Sequence, residues 1–272
     1  MIALPKRRCE FTPIGADSQR TETRSLDWLQ WLKPRFVVSM TGEPSLTARA
    51  MIEAVGYDLE VAESVVVVYD PSLMPVARVP RRDRRRHPFR QVGSLGDGVD
   101  IVAAAGPGAP VAAITVEFLA AFGARQLVSI GTAGDLRRDP TSATRHGPRV
   151  ISHAVSDEGT SAHYGGNLTA DPNLVERLQR CLGAPAQIAL TTDAPFRHTP
   201  ERLADHRSKG DLVEMECAAF LAAANYFGVS AGSVLVPSDA FDGETWQLAE
   251  IDPHDELVSA IEASAAELAS DA

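Results

Sequence analysis

The chain has 272 residues, 44% hydrophobic and 23% charged, which suits one large globular domain with a sizeable core. Its net charge of −10 argues against general nucleic-acid binding, and no apolar run approaches the ~20 residues that span a bilayer. Three widely separated cysteines, Cys9, Cys181 and Cys217, suit free thiols in a reducing compartment, so the expectation is a cytoplasmic protein with no membrane or nucleic-acid partner.

The first residues are basic but have no apolar segment behind them, so no secretory signal is expected. Residues 1–34 are irregular in pattern and predict an N-terminal arm, with "SLDWLQWLK" as a short helix; a catalytic domain is expected over 35–272. From residue 35 one module recurs: a short apolar strand, a turn of small residues, then a helix. "RFVVSM" (35–40) runs into "TGEP" and the helical "SLTARAMIEAV", and "SVVVVY" (64–69) is strand-sized. The stretch "RVPRRDRRRHPFR" (78–90) holds seven arginines and a single acid. It reads either as a solvated loop or as a phosphate-binding or subunit-contact loop, since arginine forks suit phosphate oxygens.

Further along, "VDIVAAA" (99–105) runs into "GPGAP" and the helical "VAAITVEFLAAFG", and "RQLVSI" (125–130) into "GTAG". "AQIAL" (186–190) runs into "TTDAPF", and "DLVE" into an apolar helix from Cys217 to Phe227. "SAGSVLV" (230–236) ends at "PSDAFDGE", and an amphipathic helix over roughly 254–268 closes the chain. Strands alternating with helices predict an α/β domain with a mostly parallel central sheet covered on both faces.

Ligands bind such sheets beyond the carboxyl ends of the strands, which is where Glu214, Glu216 and Asp239 would converge. Ionised groups at the edge of an apolar core are costly unless paired. A charge in the first turn of a helix explains Glu216 alone and not the pair. A buried carboxylate accepts two hydroxyl hydrogen bonds at once, which suits the vicinal hydroxyls of a ribose, and the Met215 thioether offers an apolar wall. An acid such as Asp239 can neutralise a base as it departs from a sugar. The turns "GTAG" and "GPGAP" expose amides able to hold an anion or a polarised water. The seven histidines lack metal-ligand spacing and there is no Cys-x-x-Cys, so neither metal nor cofactor is expected, with phosphate as the one candidate co-substrate. There is no Gly-x-Ser-x-Gly elbow either. His163 reads as a substrate contact or as a structural histidine, and Cys217 as a small buried side chain.

"VEMECAAF", followed about twenty residues later by "SDA" and preceded by "GTAGDL", "DEGTSAHY" and "TTDAPFRHTPE", resembles the nucleoside phosphorylase and uridine phosphorylase family, which includes nucleosidases. The resemblance runs from about Asp100 to Asp239, is suggestive at "TGEP" and is absent over roughly 58–98. It implies a single-domain three-layer α/β/α fold, an active site at a subunit contact, and a homo-oligomer, either a dimer or a hexamer. By position it implies that Glu214, Met215 and Glu216 line a ribose pocket, with Glu216 on the hydroxyls. It also implies Asp239 as the acid assisting the base, Phe196 packed near the base, and Gly42, Gly131 and Thr132 in phosphate-cradling loops.

The departures from that pattern concern phosphate. Leu46 and Ser129 stand where the family usually has arginines, and Val111 where a serine is usual. Two lost arginines remove charge-assisted hydrogen bonds worth ~1.5–3 kcal/mol each. Unless Arg49 or the 78–90 loop compensates, water would replace phosphate, with Glu43 orienting or deprotonating it. Arg202 matches the pyrimidine-reading arginine only if one residue is inserted, which puts Pro200 on the companion glutamine. The Ser238–Asp239 pair points instead to a purine. The expected function is cleavage of the N-glycosidic bond of a purine nucleoside, with hydrolysis favoured over phosphorolysis. The alternatives are a phosphate-dependent purine or uridine phosphorylase, a glycosidase of nucleoside 5′-monophosphates, and a non-catalytic nucleoside-binding protein. The expected partner is a small-molecule nucleoside or nucleotide.

Overall fold

The computed structural model describes residues 44, 46–77, 79–80, 86–137, 147–241, 246–248 and 252–270. The arm expected over 1–34, the strand expected over 35–40, Gly42, Glu43 and residues 81–85 of the arginine loop lie outside them. Within Leu46–Ala272 the described chain forms one compact unit.

In chain order the elements are α1 (Ala48–Val55), β1 (Ser64–Val68), β2 (Val79–Pro80), β3 (Gln91–Gly96), β4 (Val99–Ala103), α2 (Ala109–Phe122) and β5 (Gln126–Asp135). Then follow β6 (Arg149–Asp157), α3 (Pro172–Leu182), β7 (Ala186–Thr192), α4 (Pro200–Arg207), β8 (Leu212–Glu214), α5 (Cys217–Phe227), β9 (Ser230–Phe241), β10 (Trp246–Leu248) and α6 (His254–Ala269). Val65 through Val68 of β1 are fully buried. Such a run suits a strand covered on both faces, because β-branched side chains pack well on a pleat, each worth roughly 1.5–3 kcal/mol of burial.

The strands form one sheet in the order β10-β9-β6-β7-β8-β5-β1-β4-β3-β2, and β9 also pairs with β5. The sheet is mostly parallel, as the alternation of elements suggests, and it also closes on itself. Strands β5, β8, β7, β6 and β9 close into a ring, while β1 to β4 extend it as an open wing. The longest ladder, from Gln126↔Ser230 to Asp135↔Ala240, is parallel, as are β1–β4, β1–β5, β6–β7 and β7–β8. Among the described strands, the ladders β2–β3, β3–β4, β5–β8, β6–β9 and β9–β10 are antiparallel.

Neighbouring residues of β9 show that helices cover both faces. A Cβ at Gly232 would lie 3.0 Å from Leu178 and 3.3 Å from Leu174, both on α3. The next residue, Ser233, lies with its hydroxyl 3.0 Å from the Cys217 thiol at the start of α5. Successive strand residues point to opposite faces, so α3 and α5 lie in separate layers. This gives the three-layer arrangement. Among the described residues no helix is long and apolar enough to cross a membrane.

Candidate active site

The corner where β7, β8 and α5 meet is built around Glu214, which is buried. Its Oε2 accepts the backbone N–H of Glu216 at 2.6 Å and of Cys217 at 2.7 Å, satisfying two of the orphan donors of the α5 N-terminus. Its Oε1 accepts from the Thr191 hydroxyl of β7, whose oxygen in turn accepts the Ala218 N–H at 2.8 Å. One carboxylate thus ties two strands to a helix. Burial holds the Glu214 pKa above the ordinary range.

Glu216 lies two residues further, and its Oε1 accepts the Gly108 N–H at 2.6 Å. The amide at the start of α2 is therefore engaged by a carboxylate. Burial, and then the nearby Glu214 charge, push the Glu216 pKa up to about 7. Beneath this corner Ser129 donates to Ser233 at 2.9 Å, and Ser233 meets Cys217. Burial and the two glutamates raise the Cys217 thiol and the Tyr69 hydroxyl well above their usual values.

A cavity of about 640 Å³ opens beside the corner. Its wall includes Thr132, Thr192, Phe196, Glu214, Met215 and Asp239. Asp239 is brought there by an irregularity in β9. Ala133 pairs with Pro237 but Gly134 pairs with Asp239, so Ser238 is an extra residue that bulges out of the ladder. Proline has no N–H to offer a ladder, and bulges re-aim side chains. Ser238 donates to Asp239 Oδ1 at 2.7 Å, and the Trp246 indole N–H donates to Oδ2 at 2.9 Å. Gly134 makes room for this carboxylate, since a Cβ there would lie 2.9 Å from Asp239 Oδ2.

Of the residues singled out from sequence, Asp239, Phe196, Thr132, Glu214 and Met215 all line this one cavity. Phe196 stands on its wall with 97% of its surface exposed. Glu216 and Gly131 are outside that lining, Glu216 facing the Gly108 turn and Gly131 packing on Tyr69. Arg202 is also outside it: its guanidinium donates to Asp157 Oδ2 at 2.5 Å, and His206 Nε2 meets the same oxygen at 3.1 Å. This side chain is tied to β6 instead of presenting a free fork to a base. Burial opposes ionisation of Asp157, but hydrogen bonds from Arg202 and Thr192 hold its pKa low. Leu46 is 65% exposed and Ser129 is buried with its hydroxyl turned into the protein. Gly42 and Glu43 fall outside the described residues.

Sequence reading missed Trp246, which joins the wall from β10, and His198, whose ring packs 5.0 Å from that of His206. A tryptophan seven residues beyond the acid has no periodic signal linking it to Asp239; only the β9–β10 register supplies that link.

The model of the phosphorylase superfamily matches residues 60–271. No curated protein sequence matches the chain. Among solved structures, a purine nucleoside phosphorylase from Toxoplasma gondii, in complex with immucillin-H, superposes with a TM-score of 0.65 at 20% identity, covering 78% of this chain and 94% of its own. An AMP nucleosidase from Bacteroides thetaiotaomicron gives 0.62 at 16% identity, covering 80% and 97%. A uridine phosphorylase from Vibrio fischeri gives 0.61 at 19% identity, covering 78% and 93%. At these identities the superpositions speak to the fold.

Proposed function

Because the chain belongs to the phosphorylase superfamily, we propose that it cleaves the N-glycosidic bond of a nucleoside, with a purine as leaving base and water as the attacking group. The observation that carries the reading is the Asp239 carboxylate on the wall of a cavity that also presents Thr132, Phe196 and Met215. In the reaction the C–N electron pair passes to the base while positive charge develops on the sugar. Asp239 hydrogen-bonds or protonates the departing base. Glu216 adjoins the cavity through Met215 and has Oε1 on the Gly108 N–H, so its part is to accept a ribose hydroxyl through its other oxygen as that charge grows. Water attacks the anomeric carbon from the face opposite the base and loses its proton, yielding free sugar.

Hydrolysis is favoured by what surrounds the segments expected to hold an anion, of which GTAG continues β5 as paired strand instead of turning. Ser129 spends its hydroxyl on Ser233, Leu46 has no donor, and the Gly108 amide is given to Glu216. A phosphate dianion would meet a carboxylate at the amide that should receive it. The phosphorylases and the nucleosidase among the solved structures share this fold, so likeness to them does not choose between the two reactions. We further propose that the enzyme works as a homo-oligomer in the cytoplasm.

The test is release of free base from a panel of purine and pyrimidine nucleosides and their 5′-monophosphates, with and without phosphate. Base release without phosphate, yielding free sugar, is the expected result. Strict dependence on phosphate, yielding sugar 1-phosphate, would overturn the hydrolytic assignment. Release from 5′-monophosphates alone would replace the nucleoside by a nucleotide. Silence across the whole panel would remove the glycosidic reading.

A further inference from the structure

The antiparallel β9–β10 ladder sets Trp246 opposite Phe241 and Leu248 opposite Asp239. Trp246 and Asp239 are therefore diagonal neighbours on one face, a relation within reach of a long aromatic side chain. The reach is used, for the indole Nε1–H donates to Asp239 Oδ2 at 2.9 Å. An indole nitrogen is a donor only, so Oδ2 is fixed as an acceptor and the carboxyl plane is fixed with it. Oδ1 is held by Ser238. Trp246 also lines the cavity, with 56% of its surface exposed. A large apolar ring held open on a cavity wall is a surface for a flat ligand.

Resting on the glycosidic reading above, we propose that Trp246 has two roles: it positions Asp239, and it forms the wall on which the leaving base lies. The donated N–H keeps the carboxylate aimed into the cavity, so that its remaining lone pairs face the base. The ring supplies stacking that depends on a planar heteroaromatic group and not on its edge substituents. The ligand class is therefore a nucleoside whose base is flat and presents an N–H towards the Asp239 carboxylate. A base offering a carbonyl oxygen there would meet an acceptor with an acceptor.

The experiment compares the full-length protein with Trp246→Phe and Trp246→Ala. Adenosine, inosine and uridine serve as substrates, and adenine binding is read by tryptophan fluorescence. Trp246→Phe keeps a ring and loses the donor, so kcat should fall about tenfold with KM within about threefold. Trp246→Ala also loses the wall, so KM should rise by about tenfold as well. Adenine should quench the wild-type emission more than that of Trp246→Phe, and because Trp28 and Trp31 remain in both, the difference reports Trp246. Both variants within about twofold of wild type in kcat and KM, or an adenine quench undiminished in Trp246→Phe, would overturn the proposal. If wild-type protein releases no base from any nucleoside, the glycosidic reading fails by itself. The quenching arm then still decides the wall: a smaller adenine quench in Trp246→Phe supports it, and no Trp246-dependent quench overturns it.

Discussion

Asp239 owes its place to two residues that carry no chemistry of their own. The bulge at Ser238 turns the side chain towards the cavity, and Gly134 leaves space where any other residue would carry a Cβ. The backbone at Gly134 does not need positive φ, so alanine is tolerated there as far as backbone is concerned. Its methyl group would nevertheless sit 2.9 Å from Asp239 Oδ2 and 3.2 Å from Val213 Cγ1. A carboxylate end can swing away, and swinging away breaks the Trp246 bond. Gly134→Ala should therefore leave thermal stability within about 1 kcal/mol of wild type while lowering kcat on purine nucleosides at least about tenfold. Steady-state kinetics beside a urea titration would check this. Unchanged turnover would mean that the orientation of Asp239 does not matter. The carboxylates themselves were legible in the sequence because charge at the edge of an apolar run is conspicuous. Gly134 was legible only as part of a turn, since nothing in a sequence reveals what approaches a missing Cβ.

Among the elements, those that could be read in advance are the ones whose apolar residues run together or recur at a helical period between small-residue turns. Strands β1, β4 and β7, and helices α2 and α5, are apolar runs punctuated by small residues, and they fall where the pattern puts them. Strand β6 was missed because "RVISHAVSD" mixes polar residues into a strand that is only partly buried. Helix α3 carried a signal that went unused: Asp171 caps it, Pro172 opens it and Gly183 ends it in the left-handed region. The role of Glu214 also belongs to this scale. The family resemblance implied a residue lining a ribose pocket; it does line the cavity, yet both of its oxygens are engaged in joining β7, β8 and α5. Removing it would leave the buried Cys217 N–H and the part-buried Glu216 N–H without this acceptor. Relief of a costly buried carboxylate offsets part of that loss. Glu214→Ala should destabilise the protein by roughly 2–4 kcal/mol, and Glu214→Gln, which keeps one acceptor, by less. A urea midpoint for Glu214→Ala equal to that of wild type would show that the helix start is held by other groups.

At the scale of the molecule, the sheet closes on itself beside the candidate site. Register alone joins β5 to both β8 and β9 at its carboxyl end, and a ring of this kind cannot be read from alternating strands and helices, because its defining contacts are long-range. Closing the ring brings Glu214 and Glu216 into an interior where both resist ionisation, and this has a consequence for the whole fold. The Glu216 pKa rises from an ordinary 4.5 to about 7, through burial and then the Glu214 charge. The folded protein therefore binds this proton more tightly than the unfolded chain does. Its contribution is fully present at low pH, declines once the pH passes about 4.5, and is lost as the pH rises through about 7. The loss across that window is on the order of 3 kcal/mol. Glu216→Gln carries no proton to lose and also spares Glu214 a neighbouring charge. Stability measured by urea titration from about pH 5 to about pH 8 should fall in wild type and fall by clearly less in Glu216→Gln. Parallel curves for the two proteins would place Glu216 in contact with solvent, and with it would go the buried pair at the start of α5.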